Sequence, residues 1–286
     1  MKDPQIWRMF LSEKDYANVA AGRETTTGRA PDPYNPTKDY RRMNLGDVVI
    51  FTMVGEDVGE ASVPIVKRVT GVKYFKSDKG AIHSVKRMLR SQGWHNMEPE
   101  ANEYADAVLS YMRIPGYAAR IEEHGVFSIS FEPIMFWRLW MPDDLYDTFE
   151  ARARVVEGRA LDLADMSKDY RFMNRGDIVT IFGNTRNNLD KWVNDVRLYP
   201  SIEEMVAGEG LEALTPALSS VEEAVGLYNS FPGYPARAEA YGMAAIEMGG
   251  EVPDEIFRGL LMHQKKLLAY HPNFFSDEDI AYSRAH

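Results

Sequence analysis

Lysine, aspartate, tyrosine and arginine follow one another at Lys38, Asp39, Tyr40 and Arg41. The same four recur at Lys168, Asp169, Tyr170 and Arg171. Two cations, a ring and a carboxylate next to a flexible loop suit a site that stacks a base on the tyrosine and holds phosphate with the cations. They suit a packed turn equally well, with the tyrosines in the core and the aspartates capping the backbone. Arg29 and Arg159 precede these tetrads at the same spacing. A guanidinium offers planar, paired donors to a phosphate or a base edge. It can also make a fold-stabilising salt bridge, with Asp47 or Asp177 as the partners in view.

A second group is set apart by charge. From Val66 to His95 the cations are Lys67, Arg68, Lys73, Lys76, Lys79, Lys86, Arg87 and Arg90, against the single acid Asp78, so the segment nets +7. The other residues together net −17. Tyr74, Phe75 and Trp94 interleave with the cations, and cations with exposed aromatics are what a nucleic-acid groove requires. Lys67, Arg68, Lys73, Lys86, Arg87 and Arg90 are the expected contacts to a nucleic-acid backbone. The competing expectation is a solvated helix whose cations pair with acids elsewhere in the chain.

Composition removes several chemistries. There are no cysteines, which excludes disulfides, thiolate metal sites and thiol nucleophiles. The six histidines, at 83, 95, 124, 263, 271 and 286, show no paired metal spacing. No metal and no cofactor is expected. Walker-type, dinucleotide-binding and Gly-x-Ser-x-Gly patterns are absent. No apolar run approaches the ~20 residues of a membrane span, and the first ten residues lack a signal-peptide core. The expectation is a soluble cytoplasmic protein with no membrane partner. A net charge of −10 argues against a surface that coats nucleic acid all over, but not against one basic face.

The elements that must hold these residues occur twice. Gly28 to Val49 and Gly158 to Val179 share 13 of 22 positions at an offset of 130, and Trp7-Arg8 matches Trp137-Arg138 at the same offset. So long a period means two copies of a whole domain. Each copy opens with an expected strand (Ile6 to Leu11; Phe136 to Met141) and a short helix, the first capped by Ser12. Gly46-Asp47 and Gly176-Asp177 read as turns leading into strands over Val48 to Val54 and Ile178 to Phe182. Val63 to Val72 and Trp192 to Leu198 are the next strands. Helices follow over Ile82 to Gln92 and Glu103 to Met112, and over Ile202 to Gly208 and Val221 to Tyr228. A Pro-Gly-Tyr break and a closing strand end each copy. The offset falls to 117 by then, so the second copy has shorter connections. The units are expected at 1–133 and 134–252, with a C-terminal extension at 253–286. In that extension Ile256, Phe257, Leu260, Leu261, Gln264, Leu267 and Leu268 share one helical face, which suits packing across the domains or binding a protein partner.

The order strand, helix, Gly-Arg-x-x-x-x-Gly-Arg, loop, Gly-Asp, apolar strand resembles the ASCH domain of the PUA-like superfamily. It is carried by Gly22 to Arg29 and by Gly46-Asp47. The resemblance implies an α+β fold of two small β-barrels flanked by helices, with a cleft associated with RNA, nucleotides or modified nucleosides. Some members of that family resemble amidohydrolases acting on acylated cytidine, with a lysine two residues after the motif glycine. Here that position holds Glu24 in one copy and Arg154 in the other, and the position three further on holds Thr27 and Glu157. An arginine that never loses its proton cannot replace such a lysine. Glu24, Thr27 and Glu157 remain the candidates for acid–base chemistry.

The expected function is binding of RNA, single-stranded nucleic acid or a modified nucleotide, mainly by the N-terminal unit, with Arg29, Lys38, Tyr40 and Arg41 lining the cleft. Arg159, Lys168, Tyr170 and Arg171 are the matching candidates in the second unit. The alternatives are an amidohydrolase-like enzyme on a modified nucleoside and a non-enzymatic protein-interaction module.

Overall fold

The structure, a computed structural model, describes residues 2–53, 64–151, 155–183, 185, 188–257, 259 and 260, and of residue 144 the backbone alone. Arg154, Leu261, Gln264, Leu267, Leu268 and the last three histidines lie outside the described residues.

The chain folds into two curled five-stranded sheets flanked by helices, a mixed α+β architecture of two small barrels. The first sheet contains β1 (Ile6–Leu11), β2 (Thr26–Arg29), β3 (Val48–Met53), β4 (Ile65–Phe75) and β5 (Val126–Glu132). Its helices are α1 (Glu13–Ala20), α2 (Ala81–Gln92), α3 (Tyr104–Arg113) and α4 (Tyr117–His124). The second repeats the plan with β6 (Phe136–Trp140), α5 (Asp143–Glu150), β7 (Val156–Ala160), β8 (Ile178–Phe182) and β9 (Leu189–Tyr199). It continues with α6 (Ile202–Glu209), α7 (Leu211–Leu214), α8 (Val221–Ser230), α9 (Tyr234–Tyr241) and β10 (Met243–Glu251). The strand orders are β1-β3-β4-β5-β2 and β6-β8-β9-β10-β7. In each sheet the first pair is parallel and the others antiparallel.

Local chemistry accounts for the elements. Along β1, Trp7, Met9 and Leu11 are buried while Arg8 and Phe10 are exposed, the period of two that a half-buried strand requires. Ser12 caps α1 by accepting from the Asp15 amide at 3.2 Å. β3 reads as an unbroken apolar run because both its faces are covered. Val49 and Phe51 point into the first barrel's core with Trp7, Met9 and Ile129. Val48 and Ile50 point outward, into a core shared with Ile178 and Trp192 of the second sheet. Val252, at the end of the second unit, and Ile256 and Leu260 of the C-terminal extension close that shared core.

Some boundaries differ from the sequence expectation. The Pro-Gly-Tyr breaks are each followed at once by a further short helix, α4 and α9, which were not expected. Gly116 and Gly233 sit in the left-handed region at φ of 71° and 72°, so the chain turns sharply and resumes helix. β4 and β9 run to Phe75 and Tyr199, past the expected ends, and each donates its last residues to a long antiparallel pairing. Residues 40–42 and 170–172 form single 3-10 turns.

Candidate functional site

The repeated Gly-Arg step lies on β2 and β7, the edge strands opposite β1 and β6. A Cβ on Gly28 would lie 2.5 Å from the Tyr111 ring and 2.6 Å from the Met88 methyl; on Gly158 it would lie 2.6 Å from both the Tyr228 hydroxyl and the Met205 methyl. The glycines therefore admit the helix pair against the strand. Tyr111 receives the Gly28 amide at 3.1 Å, and the Tyr117 hydroxyl receives the Ala30 amide at 2.9 Å while donating to the Gly28 carbonyl at 2.8 Å. The arginines reach across the open seam of each barrel. Arg29 Nη1 donates to the Phe10 carbonyl at 3.4 Å and Arg159 Nη2 to the Trp140 carbonyl at 2.9 Å.

Neither arginine pairs with the Gly-Asp carboxylates considered from sequence. Asp47 is a buried hub that accepts from Trp7 Nε1 at 3.0 Å and from the Gln5 and Asn44 amides at 3.1 and 2.9 Å. Asp177 does the same for Trp137, Met135 and Asn174. Their cations come from the opposite unit: Arg175 stands 3.3 Å from Asp47 and Arg68 3.5 Å from Asp177. Arg68, expected among the backbone contacts, is thus buried between the units, where it also pairs with Glu132.

In the Lys-Asp-Tyr-Arg tetrads the rings are core. Tyr40 is 6% exposed and packs on Trp7, and Tyr170 is 4% exposed and packs on Trp137. Burial raises both phenol pKa values. Arg41 clamps Asp39 through two bonds of 2.6 and 3.0 Å, and Arg171 clamps Asp169 through two of 2.7 Å. The paired guanidinium holds each aspartate below the usual carboxylate range. Lys38 is exposed, and Lys168 pairs with Asp165 at 2.6 Å.

The acid–base candidates separate by unit. Glu24 is buried, and desolvation, assisted by Asp15 and Glu98, pushes its carboxyl up to about 9 against the opposing effects of Arg29 and a hydrogen bond with Thr27. It is neutral at pH 7. Glu157 lies 2.7 Å from the Arg159 Nε and forms a buried ion pair.

The basic segment has one member at the unit interface and the rest elsewhere. Lys73 donates to the Ser91 hydroxyl at 2.7 Å; Arg87 makes a loose 3.4 Å pair with Asp78; Arg90 lies over the Tyr104 ring at 5.5 Å. Lys76, Lys79, Lys86, Arg87 and Arg90 are exposed. Lys67 is half-buried, which lowers its pKa. Apart from Arg68, no cation of this segment pairs with the second unit among the described residues. At the end of β4 the exposed Tyr74 donates to the His124 carbonyl at 3.2 Å, and the His124 ring meets Tyr34, 88% exposed, at 6.4 Å. Tyr34 and His124 escaped the sequence reading. The signal was available as a difference between copies, since Tyr34 and Tyr74 correspond to Ala164 and Leu198.

A cleft of about 380 Å³ on the first unit is lined among others by Lys14, Glu98, Asp106, Ser110 and Arg113; none of the basic-segment residues, nor Tyr34 or Tyr74, lines it. Among the described residues no group of three or more acids or histidines could hold a metal ion, and no helix is long and apolar enough to cross a membrane.

No family model and no curated protein matches the chain. Among solved structures it is similar to the hypothetical protein PH0355, with 28% identity over 41% of this chain and 100% of that one and a TM-score of 0.35. It is also similar to protein PF0455 from Pyrococcus furiosus, with 29% identity over 40% of this chain and 96% of that one and a TM-score of 0.33.

Proposed function

We propose that the chain binds single-stranded RNA, another single-stranded nucleic acid or a modified nucleotide, chiefly through its N-terminal unit, and that both units are ASCH-type domains of the PUA-like superfamily. One observation carries the binding reading. The cations on the β4–α2 face are exposed and are not consumed by the acidic second unit, and exposed Tyr34 and Tyr74 lie on the same unit. A flexible strand needs positive charge for its phosphates and flat rings for its bases. Lys73, Lys86, Arg87 and Arg90 supply the first, and the two tyrosines the second. Tyr40 and Tyr170 are core residues of their own barrels and do not stack bases.

The test is fluorescence anisotropy with a labelled oligouridylate at increasing salt. The expected result is binding whose logarithm falls with log salt by about 0.7 per phosphate contacted, and which the triple variant Lys86→Glu, Arg87→Glu, Arg90→Glu abolishes. Unchanged binding by the triple variant overturns the reading.

One observation favours a second reading, an amidohydrolase-like enzyme on a modified nucleoside. The neutral Glu24 carboxyl, hydrogen-bonded to Thr27, has the protonation state of a general acid at pH 7. Incubation with a panel of acylated nucleosides decides it; absence of turnover retires it.

A further inference from the structure

The two barrels treat the same arginine differently. In the second, Arg159 has a carboxylate of its own chain, Glu157, 2.7 Å from Nε. The two residues are on one strand, two positions apart, so both side chains fall on the same face. Registers confirm the correspondence: Glu157 pairs with Ile246 and Arg159 with Ala244, as Thr27 pairs with Ile129 and Arg29 with Phe127. The first barrel thus has Thr27 where the second has Glu157. A threonine ends at Cγ and Oγ and cannot extend a carboxylate to the arginine.

The consequence is an uncompensated cation. Among the described residues Arg29 makes no ion pair, and its hydrogen bond to the Phe10 carbonyl is long, at 3.4 Å. Its Nε is inaccessible to water and without a hydrogen-bond partner; the same is true of Arg159 Nε, but that guanidinium has the Glu157 carboxylate 2.7 Å away and Arg29 has none. A buried guanidinium donor left unmade is costly, and a planar fork of donors favours a carboxylate or a phosphate above other groups. The residue as a whole is half-buried, so solvent reaches its end.

We propose that Arg29 is a seat for a small oxyanion, a carboxylate or phosphate group of a ligand, and that Glu157 fills the equivalent seat of the second barrel from within. One barrel is open to an anion and its twin is plugged by its own side chain. The neutral state of neighbouring Glu24 fits this arrangement, since an ionised acid there would repel the anion. The seat is independent of the β4–α2 basic face, and either can fail without the other.

The experiment follows the Arg29 Nε–Hε resonance by NMR in the full chain during separate titrations with inorganic phosphate and sodium acetate, with chloride matched. The expected result is a saturable shift of Arg29 with at least one of the two, and none of Arg159. A shift with phosphate alone assigns a phosphate ligand, one with acetate alone a carboxylate, and one with both an unselective seat. Thr27→Glu places in the first barrel the plug of the second and is expected to weaken the anion at least tenfold. Glu157→Thr is expected to open a second seat, seen as a new saturable shift of Arg159. The proposal is overturned if neither anion moves Arg29 in the unsubstituted protein, a readout that needs no variant to fold. It is equally overturned if folded Thr27→Glu binds the anion as well as the unsubstituted chain does.

Discussion

The two barrels share a frame and differ in what they do with charge. In the second, Arg197 on β9 is gripped by Glu209 at 2.6 Å, Asp195 at 2.6 Å and Glu247 at 2.8 Å. Its counterpart on β4 is Lys73, which faces Ser91, and the position of Glu209 is taken by Gln92. The connection after β4 has five residues, Lys76 and Lys79 among them, and that after β9 has two; α2 has 12 residues and α6 has 8. Tyr34 and Tyr74 give way to Ala164 and Leu198, and Thr27 to Glu157. Arg159 and Arg197 of the second unit are paired with acids of that unit, whereas their counterparts Arg29 and Lys73 make no ion pair among the described residues. The features that stayed identical, such as Gly-Arg, Trp–Asp and the clamped Asp-x-Arg, are those that close hydrogen bonds inside the frame. Duplication thus separates residues that the fold needs from residues that only one barrel presents.

The shared frame offers the largest effects. Asp47→Ala strands the Trp7 indole, two backbone amides and Arg175; Asp177→Ala strands the matching set and Arg68. Removing one partner of a buried network costs about 3–5 kcal/mol. Each variant is expected to lose that much in urea unfolding, and to similar extents. A loss from one unit only would show that the barrels are not energetically equivalent.

Next comes a term confined to the first unit. The Glu24 pKa rises from 4.5 to about 9 on folding. The native state therefore binds more protons than the unfolded chain between those values, and stability falls as pH rises through that window. The stabilisation is complete below about pH 4.5 and lost above about 9. Glu24→Gln removes the titration and is expected to flatten the pH dependence by several kcal/mol, at most about 6, across the window. Matched urea titrations of the two proteins isolate the effect; parallel curves would refute it.

Two substitutions make the first unit resemble the second. Tyr34→Ala and Tyr74→Leu are each expected to cost about 1–3 kcal/mol in oligonucleotide affinity, the usual worth of a base–aromatic stack, with unchanged circular dichroism. Affinity that survives both would confine recognition to the cations.

Much of this frame was legible in the chain. The internal repeat gave two domains, apolar runs gave β1 and β3, an alternating run gave β5, and Ser12 announced α1. The positions of Tyr40 and Tyr170 were not readable, because a ring beside two cations is written the same way whether it faces solvent or core. Helices α4 and α9 were hidden because the proline and glycine that end one helix sit directly before the next. The fate of Arg68 depended on a neighbour more than a hundred residues away, Asp177, which no local pattern reports. The plug at Glu157 was visible as a letter, but its meaning required the register that sets it beside Arg159.

The smallest expected effect tests the charge contrast in the second barrel. Glu209→Gln gives α6 the residue that α2 has at Gln92. Arg197 keeps Asp195 and Glu247, and although the Glu209 side chain is 6% exposed that of Arg197 is 31% exposed, so the guanidinium is left with two acids and access to water rather than stranded. The expected loss in urea unfolding is about 0.5–1 kcal/mol. Glu209 also accepts from the Tyr199 hydroxyl at 2.6 Å and, after burial, is the main cause that raises that phenol's pKa. The variant should therefore lower the Tyr199 titration midpoint in a phenolate absorbance scan even though stability barely moves. A large stability loss would mean that the acidic cluster holds the second barrel together. The excess of acids there would then be structural, and the contrast with the open cations of the first barrel would lose its functional sense.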